Sequence, residues 1–257
     1  MQLFVMGNMD IIRQKKINEL VNENYVNASV LHYFGIKFYQ YSEKTLEQVC
    51  QERGLNQQQL ISNLESVGGK TSDHKLLLTA FPVDIIIEYL KHMHFIFIKQ
   101  RMPYIADLIS HADDNTSHQN VIKDLRFVFP LFVEDYIHHI YDEEDTLFSY
   151  TMLLHNALDG HYNPSQLYSA WEKHNIQEYA VAHDAHNDEM TGIRNITDNY
   201  KSKNSDPLHI KVLYSELQSF EGELITHARV ENVLLFPKAL MLEKEVKQLV
   251  HDHVKLN

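Results

Sequence analysis

The chain of 257 residues is poor in several residues that mark common protein classes. Cys50 is its only cysteine, which excludes an intrachain disulfide and a cysteine-rich zinc or iron–sulfur site within one chain. Eight glycines and six prolines provide few turn signals, and no alternation typical of strands persists along the sequence. The cysteine usage fits a reducing compartment, and we expect a cytoplasmic protein.

Basic charge and long apolar runs are also scarce. The sequence has 23 basic and 35 acidic residues and a net charge of −12, which argues against non-specific binding of nucleic acid. Its start has no basic n-region, and no stretch approaches about 18 uncharged apolar residues. We therefore expect a soluble protein that binds neither nucleic acid nor a membrane.

The apolar residues recur at helical spacing, which predicts an all-α fold. Short helical segments over residues 1–67 predict a small N-terminal domain, and the glycine-containing stretch 68–80 predicts a linker. Residues 81–257 then predict long helices with short connections, which favours an up-down-up-down four-helix bundle with a C-terminal helix. We name these predicted helices A (about 82–110), B (about 117–156), C (about 164–200) and D (from 207, with a break or kink at Pro237).

One phrase occurs twice, on predicted helices B and D. The chain reads H-x3-E-x3-L-F from His139 and Glu143, and again from His227 and Glu231. Residues four apart lie on one face of a helix, so each copy directs an imidazole and a carboxylate the same way. Two such helices facing each other would form a carboxylate-rich metal cage.

A bundle built this way needs further ligands from helices A and C, and helix C offers His183. Iron and manganese accept imidazole and carboxylate together, whereas zinc, which remains an alternative, prefers fewer oxygen ligands. The competing interpretation is a solvated helix face, because 17 histidines make incidental His/Glu pairs common. Repetition of the whole phrase, including Leu-Phe, favours the metal site.

These residues resemble the repair of iron centres family, in which a short N-terminal domain precedes a hemerythrin-like (HHE cation-binding) four-helix bundle with a non-haem di-iron site. The resemblance is carried by Glu231-Asn-Val-Leu-Leu-Phe-Pro237, by Glu143-Glu-Asp-Thr-Leu-Phe148 and by Ala182-His-Asp184. It implies that Glu143 and Glu231 bridge two iron ions, with His139, His183 and His227 as terminal ligands. It also implies a role in restoring damaged iron–sulfur proteins under nitrosative or oxidative stress, with NO and O2 as small ligands.

The chain departs from the family pattern on helix A. Counting from Pro82 or back from Pro103 places Phe95 where the family has its ligand histidine. His94 is one residue short, which is about 100° around a helix, and His92 is about 60° off. We therefore keep His94 as the sixth candidate ligand, with His92 or no ligand from helix A as alternatives.

A second departure lies near the N-terminus, where the family carries a Cys-Cys pair. The stretch from Gly35 to Leu46 keeps the surrounding pattern, but Tyr39 and Gln40 stand in place of both thiols. Neither can act as a thiolate ligand or redox nucleophile. We expect Cys50 to be a buried, inert thiol.

Three functional hypotheses remain open at this point. The first is a di-iron protein of the repair type that donates iron or binds NO or O2. The second is a hemerythrin-like sensor or store of O2, NO or iron without repair activity, and the third is a metal-poor interaction scaffold. A homodimer is kept as an alternative assembly. No nucleophile constellation or phosphate-binding glycine loop is visible, which argues against hydrolase or kinase chemistry and leaves enzymatic activity undecided.

Overall fold

The computed structural model describes residues 11–68, 82–113, 117–184 and 189–256. Within these ranges the secondary structure is helical, and extended residues pair only in one isolated bridge between Lys16 and Thr45. The prediction of an all-α protein is therefore confirmed for the described part of the chain. Gly68 ends a helix, and the rest of the predicted linker at 68–80 lies outside the described residues.

The chain divides into two compact units that do not follow a single boundary. The first comprises Met1–His74, Tyr104–Lys123 and Ile196–Ser219, and the second comprises Lys75–Pro103, Asp124–Asn195 and Phe220–Asn257. The separate N-terminal domain at 1–67 stays a prediction. No helix within the described ranges combines the length and apolarity that crossing a membrane requires.

Short helices form the N-terminal part of the first unit: α1 Ile17–Glu23, α2 Val26–Tyr33, a 3₁₀ turn at Phe38–Gln40, α3 Leu46–Arg53 and α4 Gln57–Gly68. Thr45 caps α3 by accepting from the Gln48 amide, and Gly54 ends it with a left-handed φ of 64° that favours glycine. The helical apolar pattern is buried as expected, including Leu46, Val49 and Cys50.

The remaining described helices follow the predicted order A to D, with π-helical turns inserted. They are α5 Val83–Ile96, π1 Phe97–Arg101, α6 Met102–Ser110, α7 Gln119–Asp142, π2 Glu143–Phe148, α8 Ser149–Leu158, α9 Pro164–Lys173, α10 Ile176–Asp184, α11 Thr191–Ile196, α12 Leu208–Val230, π3 Glu231–Leu235 and α13 Phe236–Leu256. The break predicted at Pro237 is wrong, because helical geometry continues from α12 through π3 into α13, and Pro237 lies two residues after π3 ends.

Predicted helix C is not continuous, which corrects the sequence-based expectation. His174 has an extended backbone with φ −127° and ψ 139°, and it ends α9. The Asn175 side chain then accepts from the Gln177 amide at 2.9 Å, which is a local bond that starts a new helix. At this point the preference of Asn175 for capping a new helix outweighed the apolar pattern that favoured one continuous helix.

The core of the second unit is formed by apolar faces of α5, α8 and α13. α13 packs on α8 and α10, and α5 packs on α8. Leu147 and Phe148 of the first copy and Leu235 and Phe236 of the second are all buried in this core. The Leu-Phe ends of both copies are thereby anchored, and the His and Glu residues preceding them are held close together.

Candidate metal centre

The two glutamates of the repeated phrase begin π-helical turns. Glu143 is the first residue of π2 and Glu231 the first residue of π3, so both copies change from α to π geometry at the carboxylate. Such turns are rare and occur frequently at functional sites. Both glutamates are buried, Glu231 completely. The sequence motif therefore marks a shared backbone distortion as well as a shared spacing.

The structure brings all six candidate residues together in the second unit. They form two groups that share Glu143. Within each group, one possible ligand atom from every residue lies within 4.8 Å of the others. The first group is His94, Glu143, His227 and Glu231, and the second is His139, Glu143 and His183. Either set could hold a metal ion.

In the first group, the two histidines point at each other. His94 Nε2 lies 2.8 Å from His227 Nε2 and 3.5 Å from Glu143 Oε2. His227 Nδ1 lies 3.2 Å from Glu231 Oε2. At 2.8 Å one ring donates a hydrogen bond to the other, and both residues belong to the group that could hold one ion.

The second group meets the other oxygen of the same glutamate. Glu143 Oε1 lies 3.6 Å from His139 Nε2 and 3.7 Å from His183 Nε2. His183 Nε2 is also hydrogen-bonded to Glu231 Oε2 at 2.8 Å. Glu143 thus presents one oxygen to each group, which is the arrangement of a carboxylate shared by two cations.

Three carboxylate oxygens of this cluster are buried without a hydrogen-bond partner. They are both oxygens of Glu143 and Oε1 of Glu231. A buried ionised carboxylate is costly unless a cation or several donors compensate it. The residues therefore fit a bound cation, which would complete the polar interactions that the protein leaves open.

The pKa values of the two glutamates shift in opposite directions. Burial raises the pKa of Glu143 well above its usual range, and the adjacent Glu231 raises it further. Burial also acts to raise the pKa of Glu231, but His227 and His183 lower it below its usual range. Two neighbouring carboxylates therefore titrate as an unequal pair.

The histidines are shifted in opposite directions. Burial lowers the pKa of His94 to about 3, and repulsion from His227 acts the same way. Burial acts to lower the pKa of His183 as well, but its hydrogen bond to Glu231 raises the pKa above the usual value. A neutral imidazole is the form that binds a metal, so His94 is held in its ligand state.

Helix A supplies His94 to the cluster, although its register in the sequence favoured Phe95. His94 is 1% exposed whereas Phe95 is 54% exposed, and His92 also lies on the exposed side. The π1 turn, which holds one more residue per turn than an α-helix, lies between His94 and Pro103, and one inserted residue rotates a helix by about 100°. It accounts for the offset counted back from Pro103, whereas α5 is a regular α-helix from Val83 to Ile96 and the offset counted from Pro82 has no such explanation.

Sequence reasoning missed what the repeated Leu-Phe does beside the cluster. The Phe148 ring stacks on the His94 ring with centroids 5.6 Å apart, and the Phe236 ring contacts the His183 ring edge-on at 5.4 Å. Each copy thus supports a histidine that another helix supplies. The constant spacing from glutamate to phenylalanine was the signal that could have indicated this.

Sequence reasoning also missed Glu144. Its Oε1 lies 2.8 Å from Nδ1 of His94, on the side of the ring opposite to the cluster. Asn232 follows Glu231 in the second copy and approaches the His183 ring, but its geometry leaves His183 Nδ1 without a hydrogen bond. The residue after each glutamate could have been singled out by its position in the repeat.

A cavity of about 310 Å³ adjoins the cluster within the second unit. His139, His183, His227 and Glu231 form part of its wall, and Tyr136 lies beside them. Arg194 and Glu221 form an ion pair at the same cavity. A molecule of a few atoms could reach the cluster from this side.

Tyr39, which stands where the resemblance would place a thiol, is hydrogen-bonded within the first unit. The Tyr39 hydroxyl donates to Asp107 Oδ2 at 2.8 Å, and Lys37 contacts Oδ1 of the same carboxylate at 2.6 Å. Cys50 is buried, and burial raises the pKa of its thiol, as expected for an inert cysteine.

Comparison with known proteins adds no family to these observations. No protein-family model matches the chain, and no curated protein matches it. The candidate centre therefore rests on the six residues, their distances and their burial.

Proposed function

We propose that this protein binds two non-haem iron ions in the cluster. The observation that supports this most directly is the position of Glu143, whose Oε2 faces His94 while its Oε1 faces His139 and His183. Iron suits a mixed set of imidazole and carboxylate ligands in the interior of a helical protein. Manganese has similar preferences, and zinc is the third candidate.

The proposal includes a hemerythrin-like four-helix bundle of the repair of iron centres type. Each predicted helix contributes to the cluster: His94 from A, His139 and Glu143 from B, His183 from C, and His227 and Glu231 from D. Two of the helices each supply a His and a Glu four residues apart, and the other two each supply one His. Together they provide ligands for two ions.

Glu143 and Glu231 would hold both ions, and the four histidines would complete the set as terminal ligands. The bound iron would supply reversible binding of NO or O2, or a releasable store of iron. The protein residues keep the ligands buried and His94 neutral, and the cavity beside His139, His183 and His227 admits a small molecule.

Two cellular roles fit such a centre. The first is iron donation to damaged iron–sulfur proteins in the cytoplasm during nitrosative or oxidative stress. The second is sensing or storage of NO, O2 or iron without repair, and Tyr39 favours it because its hydroxyl is bonded to Asp107 where the repair family has a thiol. A metal-poor scaffold is disfavoured by the unpartnered buried oxygens of Glu143.

Iron loading tests the proposal. The full-length chain is expressed with iron supplied, and bound metals are determined by elemental analysis together with the visible spectrum. Two irons per chain with the absorption of a bridged di-ferric pair are expected. Protein that carries no metal after such loading, or zinc alone in competition with iron, would overturn the proposal.

A second experiment separates the two roles. An iron–sulfur enzyme damaged by NO is incubated with the iron-loaded protein or with free ferrous iron at the same concentration. Recovery that exceeds the free-iron control supports repair. Recovery no greater than this control leaves sensing or storage as the role of the iron-loaded centre.

A further inference from the structure

Among the six clustered residues, His94 has a carboxylate on the outer side of its ring. Its Nε2 faces the cluster, 2.8 Å from His227 Nε2, whereas its Nδ1 lies 2.8 Å from Glu144 Oε1. The ring is 2% exposed, while the Glu144 side chain is 31% exposed. Glu144 thus belongs to the outside of the cluster and reaches it only through His94.

A neutral imidazole carries one hydrogen, on either of its two nitrogens. A carboxylate accepts but does not donate when it is ionised, so it selects the tautomer with hydrogen on the nitrogen that it contacts. For His94 this nitrogen is Nδ1, and the lone pair is then on Nε2. A histidine that binds a metal through one nitrogen commonly donates its other N–H to a carboxylate in this way.

We infer that Glu144 is a positioning residue that holds His94 in the tautomer and ring orientation needed to bind a cation through Nε2. The inference rests on the proposed metal function for its consequence, but the tautomer is a property of the protein itself. Glu144 acts through His94 and has no place among the residues grouped as possible ligands.

Two residues contact the His94 ring from outside the cluster and restrain its rotation. Phe148 stacks on one face of the ring at an interplanar angle of 5°, and Glu144 bonds its outer edge. Residues of π2 therefore contact both the face and the edge of the His94 ring.

The tautomer provides a test that does not depend on bound metal. In chelator-treated protein with ¹⁵N-labelled histidine, the ring nitrogens of His94 are assigned by comparison with His94→Gln, and their ¹⁵N shifts report which nitrogen is protonated. We expect a protonated Nδ1 in the wild type, and a mixture of tautomers in Glu144→Ala. A wild-type His94 protonated on Nε2 would overturn the inference.

Cation affinity provides the second readout, with Co²⁺ as a probe followed by its visible absorption. Glu144→Ala should raise the dissociation constant about 10–100-fold, which is the usual effect of losing such a partner. Glu144→Gln retains a carbonyl that can accept from Nδ1, so it should stay closer to the wild type in both tautomer and affinity. Unchanged affinity in Glu144→Ala would contradict the inference.

Asp145→Ala is the matched control. Asp145 is the next residue, carries the same charge, is exposed, and lines a different surface cavity. It should therefore change neither the His94 tautomer nor the Co²⁺ affinity, and an effect equal to that of Glu144→Ala would show that only net charge matters. Wild-type protein that binds neither Co²⁺ nor iron would refute the proposed function, while the tautomer comparison would still decide what Glu144 does.

Discussion

His139 and Glu143 of the first copy meet a different environment from His227 and Glu231 of the second. The His139 side chain is 27% exposed and the His227 side chain only 3%. Glu231 accepts from His183 at 2.8 Å, whereas neither oxygen of Glu143 has a hydrogen-bond partner. The same local spacing therefore produces one carboxylate stabilised as an anion and another in which burial favours the neutral acid.

The motif therefore specifies where a carboxylate lies but not whether it is charged. The charge follows from neighbours on other helices, which the two copies do not share. A cation in the cluster would remove the difference, because it would favour the ionised form of both glutamates.

The largest effect is expected on metal loading. Glu143 is common to both ligand groups, so Glu143→Ala should abolish binding of both ions, whereas Glu231→Ala should abolish at least the one held with His94 and His227. Iron per chain, measured by elemental analysis after loading, checks this. The His92→Ala variant is the control, because His92 is exposed and should leave loading unchanged. Normal loading in Glu143→Ala would refute a shared carboxylate.

The second effect is on the free energy of unfolding of the metal-free protein. Glu231→Gln removes the anion that His183 and His227 contact, and breaking such a buried pair should destabilise the protein by about 3–5 kcal/mol. Glu143→Gln replaces a carboxyl group that lacks donors and that burial already favours in its neutral form, so it should be neutral or stabilising. Urea denaturation in the presence of chelator measures both. Equal losses would mean that the two copies are equivalent.

A third effect is the pH dependence contributed by His94. Its pKa of about 3 in the folded state lies below that of the unfolded chain, so between these values the unfolded state binds more protons. This contribution to stability is fully present above about pH 6.5 and is lost by about 1.4 kcal/mol per pH unit as the pH falls toward 3. The difference between wild type and His94→Gln in chelator, measured by urea denaturation from pH 7 to pH 4, reports this contribution together with the response of its neighbours in the cluster. A constant difference over this range would contradict the prediction.

The smallest effect tests a feature that the copies share. Phe148→Leu and Phe236→Leu keep apolar volume in the core but remove the ring contacts to His94 and His183. Each should destabilise the metal-free protein by about 1 kcal/mol beyond the cost of repacking, which is typical of an aromatic contact. Thermal unfolding measures this, with Leu147→Met and Leu235→Met as repacking controls. A loss in one copy only would show that the Leu-Phe repeat does not have a common role.

The helices and four of the six clustered residues could be predicted because they depend on local spacing, whereas His183 was indicated by the family resemblance and His94 was the uncertain sixth candidate. An apolar stripe at helical period and a His four residues before a Glu specify a helix and a common face without reference to distant residues. The interruption of predicted helix C at His174 was missed because it depends on competition between that stripe and a single Asn175 side-chain bond. A single capping hydrogen bond of this kind changes where a helix begins or ends, but it does not change whether the segment is helical.

Local spacing specifies an all-helical chain with two His/Glu faces followed by buried Leu-Phe pairs. The tertiary structure sets which residue of helix A joins them, because packing across helices buries His94 and exposes Phe95. It also decided that Glu143 lacks donors while Glu231 has them, and that Glu144 bonds the outer edge of His94. These features depend on which side chains meet across helices, and spacing along one helix carries no information about that.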